Sequence, residues 1–269
     1  MEYSTLIYRV VERTGVITLN RPERMNAVIE DMYLDLQNLL SLIKQDPVIR
    51  TVILTGTIRV KEGKSRQIFC AGADLKEHAA GTRSLDQKKK YLQLAHETCR
   101  QIFEFPKPTL AVLNGAARGA GTELALNCDF ILMADDATLA FPETSLGTCI
   151  GGGASKHLVS VLGLSAAKDL IYTGRVINGV MASSMGLAHS CFPMEVLMDK
   201  ALTFARELSS KAPLSMAHAK RLLHQSMSLN IIQVLDSETE AILDCMKTED
   251  WHEGVRAFSQ QRTPLYKGH

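Results

Sequence analysis

The chain has 269 residues, 46% of them hydrophobic and 22% charged, and a net charge of +1. That length supports one substantial buried core with room for a smaller appendage. The near-neutral balance gives no ground to expect nucleic acid or an anionic membrane as the main partner, and no apolar run approaches the roughly 20 residues that span a bilayer.

The start, Met1-Glu2-Tyr3-Ser4, carries neither a basic-then-apolar signal nor an Arg-rich transit pattern, so the expected compartment is the cytoplasm. The cysteines at 70, 99, 128, 149, 191 and 245 are widely spaced and form no C-x-x-C pair. They read as small buried hydrophobes in a reducing compartment. No H-x-x-x-H pair occurs, and no metal site is expected.

Two β-rich runs open the chain, Leu6 to Val11 and Val16 to Asn20, around a turn expected at Thr14-Gly15. Met32, Leu36, Leu39, Leu40 and Ile43 recur at three- and four-residue steps, which predicts a helix from about Glu30 to Lys44, stopped by Asp46-Pro47. Thr51 to Thr55 reads as a strand. Arg59 to Gln67 is polar and basic and reads as a surface loop. Phe69 to Leu75 follows, then a polar helical segment to about Phe105.

Pro106 and Pro108 delimit a strand at Thr109 to Leu113. A glycine-rich turn leads into a helix near Ala120 to Asn127, and strands are expected at Phe130 to Ala134 and Thr138 to Phe141. Strand, glycine turn, helix, strand is the grammar of repeated β-α units with a mostly parallel sheet. From Met194 to Gln261 only helical periodicity remains, with breaks near Pro213, Leu229 and Thr248. The expected division is an α/β core over residues 1–193 and a helical C-terminal region over 194–269.

Gly115, Gly119 and Gly121 do not complete a dinucleotide fingerprint, because Leu124 stands where the third glycine belongs. Gly147 to Lys156 lacks the GK[ST] ending of a phosphate loop. Glycine before a helix serves either a tight turn or backbone N–H groups aimed at a ligand. Glu123 lies near a helix start among apolar neighbours, and Glu143 follows Phe141-Pro142. Taken alone, Glu123 is equally well read as a partner of the helix dipole, and Glu143 is better read as a cap.

Four ordered motifs change that balance. They are Thr18-Leu-Asn-Arg-Pro-Glu-Arg-Met-Asn-Ala27, Phe69-Cys-Ala-Gly-Ala-Asp-Leu-Lys-Glu77, Asn114-Gly-Ala-Ala-Arg-Gly-Ala-Gly-Thr-Glu123 and Phe141-Pro-Glu-Thr-Ser-Leu-Gly147. With the tail from Glu253 through Gly268, they make the chain resemble the enoyl-CoA hydratase/isomerase (crotonase) family nearly end to end. The resemblance implies a spiral of stacked β-β-α units. It also implies C-terminal helices that mediate homotrimers, often paired into hexamers.

For the site, the resemblance implies an acyl-CoA thioester as substrate and no separate cofactor. Coenzyme A is expected over Arg24, Met25 and Ala27 and over Ala71, Ala73, Asp74, Leu75 and Lys76, with Ala120 closing the site. The thioester oxygen is expected between the backbone N–H groups of Ala73 and Ala120. Lys76 and Lys267 are weaker candidates for the nucleotide phosphates. Glu123 is expected to activate water and Glu143 to handle the proton at the α-carbon.

A pair of glutamates favours hydration over double-bond migration, which needs one carboxylate. Other acyl-CoA chemistry on the same scaffold stays open: a Δ3,Δ2-isomerase, a branched or cyclic enoyl-CoA hydratase such as the methylglutaconyl type, or a hydrolase. A non-catalytic oligomeric protein is the reading from a different class, and the two glutamates speak against it. Lys88-Lys89-Lys90 beside Asp86 reads as a solvated face rather than an RNA site.

Some positions depart from the family pattern. Ala120 stands where glycine is usual, Arg118 precedes that turn, Ile150 replaces a frequent proline, and Lys156-His157 replaces Gln-Arg. The Arg59 to Gln67 segment is longer than in many relatives.

Overall fold

A computed structural model describes residues 3–79, 81 and 83–269. The β-branched start folds as a hairpin, β1 (Leu6–Val11) against β2 (Thr14–Leu19), in register from Leu6↔Leu19 to Val11↔Thr14. The reversal falls at Glu12-Arg13, with Glu12 at φ 54°, so Thr14 and Gly15 are strand residues and not the expected turn. Gly15 is there for space: a Cβ would meet the Tyr8 ring at 3.1 Å. Helix α1 (Glu30–Gln45) buries all five of the periodic apolar residues and Tyr33.

Strand β3 (Thr51–Thr55) is buried throughout. The stretch expected as a loop is instead a hairpin, β4 (Thr57–Lys61) with β5 (Lys64–Cys70). Its β4 strand does alternate, but Ile58 and Val60 are exposed and the facing Lys64–Gln67 run is polar throughout, so the segment as a whole reads as a solvated loop; Arg59 faces Arg66 across the ladder. Helices α2 (Leu75–Ala79) and α3 (Leu85–Phe103) follow, the latter opened by a reciprocal Ser84–Gln87 capping box. Then come β6 (Thr109–Leu113), β7 (Ala116–Arg118), α4 (Ala120–Leu126), β8 (Phe130–Ala134) and β9 (Thr138–Ala140). Helix α5 (Ala154–Thr173), β10 (Ile177–Asn178), α6 (Gly179–Ser184) and β11 (Ser190–Phe192) complete the core.

These strands form two sheets, not one. The larger runs β1-β2-β3-β6-β8-β11 and is parallel from β2 onward. The smaller runs β10-β9-β7-β5-β4. Each turn of the spiral leaves a strand in the large sheet and crosses to the small one through a sharp corner. Glycine is required at two of these corners, since a Cβ on Gly56 would lie 1.9 Å from the Ile68 carbonyl oxygen and one on Gly115 2.2 Å from that of Gln67. Asn114 staples them, accepting from Gly56 N at 3.1 Å and donating to Gln67 Oε1 at 2.9 Å.

The C-terminal helices are α7 (Met194–Ser209), α8 (Pro213–Ser226), α9 (Ile231–Met246) and α10 (Glu249–Ser259). Their boundaries have local causes. Pro213 opens α8, Asn230 and Gln233 form a capping box on α9, and Thr248 accepts from Trp251 N at the start of α10. Helix α7 buries Leu197, Ala201 and Ala205 against the large sheet. In contrast, Ile231, Ile232, Leu235, Ile242, Leu243 and Phe258 on α9 and α10 are exposed. Among the described residues no helix is long and apolar enough to cross a membrane.

Candidate active site

The site begins with two backbone segments that dock on each other. After β2 the chain makes a 3₁₀ turn at Pro22–Arg24, and Met25 and Asn26 both adopt left-handed conformations, at φ 56° and 52°. Such consecutive non-glycine residues are uncommon and need anchoring. Buried Asn26 supplies it, accepting from Arg21 N at 2.8 Å and donating to Phe69 O at 2.9 Å. Ala71 N donates to Met25 O at 3.0 Å, which closes the other side.

Val28 and Ala73 then form an isolated parallel bridge. Its bonds are Val28 N to Gly72 O at 2.8 Å and Asp74 N to Val28 O at 3.0 Å. Both involve the neighbours of Ala73, so the N–H of Ala73 itself faces away from Val28. Buried Asp74 sits 3.6 Å from the Arg21 guanidinium and 3.5 Å from that of Arg24, and Arg21 also donates to Ala27 O. Arg24, Met25, Ala27, Ala71, Ala73, Asp74, Leu75 and Lys76 are thus brought into one docked pair of segments.

Ala120 is the first residue of α4, where the N–H groups have no partner within the helix. Gly119 before it has φ 48°. A Cβ on Gly72 would lie 2.6 Å from Arg118 O and 3.7 Å from Ala120 N, so the Ala73 segment and the start of α4 abut backbone to backbone. No larger residue at 72 permits that approach.

Glu123 lies one turn into α4, yet its carboxylate does not serve the helix dipole alone. Oε1 accepts from Gly151 N at 2.7 Å, across the loop that precedes α5. Burial holds this carboxyl above the usual carboxylate range, and the Gly151 N–H partly offsets that. Glu143 opens the 3₁₀ turn Glu143–Leu146 and is buried. Its Oε1 is 2.7 Å from where a Cβ on Gly119 would stand. Oε2 is buried with no hydrogen-bond partner among the described residues. Burial raises the Glu143 carboxyl most; its own backbone N–H lowers it, and the Glu123 charge raises it again. Glu143 and the Ala120 amide therefore meet at Gly119, while the Glu123 carboxylate is held by the loop before α5 and its charge is felt at Glu143.

One expectation falls elsewhere. Lys267 lines a cavity with Lys44, Arg50 and Lys107, beside the starts of β3 and β6, and does not join Arg24 and Lys76 within this chain. Lys88, Lys89 and Lys90 are exposed on α3, as a solvated face should be. Sequence reasoning missed the Gly151 amide and Asn26. The first acts through its backbone, and the second sits inside a quoted motif without a chemical signature of its own.

This spiral of two sheets, with its helical C-terminal region, is the crotonase fold. A crystal structure of an enoyl-CoA hydratase from Bacillus anthracis matches it with a TM-score of 0.91 at 34% identity, over 99% of this chain and 100% of that one. The chain belongs to the enoyl-CoA hydratase/isomerase family, whose model matches residues 11–269. It is 34% identical to the 2,3-dehydroadipyl-CoA hydratase of Escherichia coli (strain K12), over 98% of this chain and 99% of that protein. It is 31% identical to the crotonyl-CoA hydratase of Syntrophomonas wolfei, over 97% of each.

Proposed function

We propose that this protein hydrates the double bond of a 2-enoyl-CoA thioester, reversibly and with syn addition, to give a 3-hydroxyacyl-CoA. One observation carries the reading: the Glu143 carboxyl lies against Gly119, the residue just before the helix bearing Glu123, with the Ala120 amide beside it. The family and its hydratase relatives support it.

Adding water pushes negative charge onto the thioester oxygen. The N–H groups of Ala73 and Ala120 stabilise that enolate without reorganising, and one such donor is worth about 3–4 kcal/mol of barrier. Glu123, relieved by the Gly151 N–H, is the better suited to be ionised and takes a proton from the attacking water. Glu143, with an oxygen that has no hydrogen-bond partner among the described residues and with the Glu123 charge acting on it, is the better suited to hold a proton for the α-carbon. The pair then titrates as a unit sharing one proton. Coenzyme A lies along Arg24 to Ala27 and Ala71 to Lys76, and the reaction needs no cofactor beyond it.

The exposed apolar residues of α9 and α10 suit a homotrimer or a dimer of trimers, in the cytoplasm. Purified protein given crotonyl-CoA and a panel of enoyl-CoA esters tests the function. Loss of the conjugated-enoyl absorbance with a mass gain of one water is the expected result. Unchanged mass with a displaced double bond replaces hydration by isomerisation, and release of free CoA replaces it by hydrolysis.

A further inference from the structure

Asn127 ends α4 one turn after Glu123, with its side chain buried. Its amide nitrogen donates to Glu123 O at 2.8 Å and to Gly152 O at 2.7 Å. Both partners are carbonyls, which only accept, so the orientation of the amide is settled and Oδ1 remains to accept. His157 Nε2 lies 3.2 Å from that oxygen and must carry its proton there. His157 belongs to the first turn of α5 and tilts against Phe103 at 5.1 Å. Burial and then the nearby Lys156 charge hold its imidazole below the ordinary histidine range, so it is neutral at pH 7. Asn127 and His157 thus join the end of α4 to the start of α5 behind the loop formed by residues 151–153.

That loop needs a fastener. Gly152 and Gly153 both have positive φ, 56° and 79°, and tandem glycines specify no conformation by themselves. The loop packs on the stem of Glu123, since a Cβ on Gly152 would lie 2.7 Å from Glu123 Cβ. Asn127 holds the loop by a carbonyl while the loop holds Glu123 by the Gly151 amide. We propose that Asn127, seated by His157, is a positioning residue that keeps the Gly151 N–H on the Glu123 carboxylate in the orientation that takes a proton from water. It rests on the reading of Glu123 as the base.

Without that donor, burial of Glu123 goes unopposed and its carboxyl binds a proton more tightly. The other titratable groups facing it are Glu143 from its 3₁₀ turn, Cys99 and His96 from α3, and Tyr33 from α1. None of them is altered by changing residue 127 or 157.

The test compares the full-length wild type with Asn127→Leu, His157→Leu and His157→Gln, measuring kcat and KM for crotonyl-CoA across pH. In the two leucine variants the acid limb of kcat moves to higher pH, and kcat on that limb falls about tenfold, the effect of one lost hydrogen bond to a charged group. KM stays near wild type, and His157→Gln, which keeps an N–H donor, recovers the profile. An unmoved limb, or a loss of kcat that is uniform across pH, overturns the proposal.

Infrared titration of the Glu123 carboxyl, isolated by difference against Glu123→Gln, reads the same bond without turnover. Its midpoint rises in the leucine variants if the proposal holds, and an unmoved midpoint overturns it. Should Glu123→Gln leave turnover intact, the base assignment fails by itself, and the infrared midpoint still decides whether Asn127 governs the Gly151 bond.

Discussion

The surroundings of Glu123 and Glu143 differ more than their shared chemistry suggests. Around Glu123 the polar groups are paired: Gly151 N with the carboxylate, and Asn127 with two carbonyls and His157. Around Glu143 one carboxyl oxygen is buried with no hydrogen-bond partner among the described residues, and the turn ends at Gly147 in open space. Burial raises both carboxyls, so burial alone does not assign roles. The difference lies in what stabilises the charge, and an acid held neutral beside an acid held ionised is what hydration needs.

Removing either acid should have the largest effect. Glu123→Gln and Glu143→Gln keep shape and lose proton transfer, with kcat expected to fall about 10²–10⁴-fold while binding of an unreactive acyl-CoA, read by calorimetry, is kept. Variants that both turned over like the wild type would remove the mechanism. A smaller effect separates the two loops. Gly152→Ala forces a Cβ to 2.7 Å from Glu123 Cβ at φ 56°, and displacement of the carboxylate by such a clash is expected to cost about 100-fold in kcat. Gly147→Ala, at φ 72° but with nothing within 4 Å, bears backbone strain alone and should change kcat much less. Equal losses in the two alanine variants would mean that the pairing around Glu123 has no special weight.

Much of this was readable in the sequence wherever one cause dominates. The periodic apolar residues of α1, the proline limits of β6 and the breaks between the C-terminal helices are local signals, and the structure keeps them. The two-sheet arrangement was not readable from periodicity. Strands β7, β10 and β11 have two or three residues, too few to show a period, and in the β4–β5 hairpin the short alternation at Ile58 and Val60 is outweighed by the polar, basic residues around it. Within the site, Glu123 was conspicuous as a charge among apolar residues, yet taken alone it read equally well as a helix-dipole partner and Glu143 read better as a cap; only the family resemblance gave the pair catalytic roles. The Ala73 and Ala120 positions came only through family resemblance, since a backbone N–H leaves no mark on residue type. Asn127 and His157 meet across 30 positions, and nothing in either local segment points to the other.

The smallest expected effect concerns stability. A carboxyl whose affinity for its proton is raised by folding favours the folded state at low pH, and that contribution is lost as pH rises from the unfolded value through the folded one. Glu143, raised above its ordinary value chiefly by burial, is such a group. Glutamine has no charge to bury. Glu143→Gln is therefore expected to melt above the wild type at pH 8, by about 2–4 °C for each 1 kcal/mol gained, and to lose that advantage toward pH 4. Glu123→Gln should gain less at pH 8, because the Gly151 N–H already stabilises the charge it removes and an uncharged amide forfeits that bond. Melting curves of the three proteins at the two pH values measure the contrast directly. If Glu123→Gln gained as much as Glu143→Gln, the Gly151 bond would contribute nothing to the charged form, and the two carboxyl sites would differ only in position.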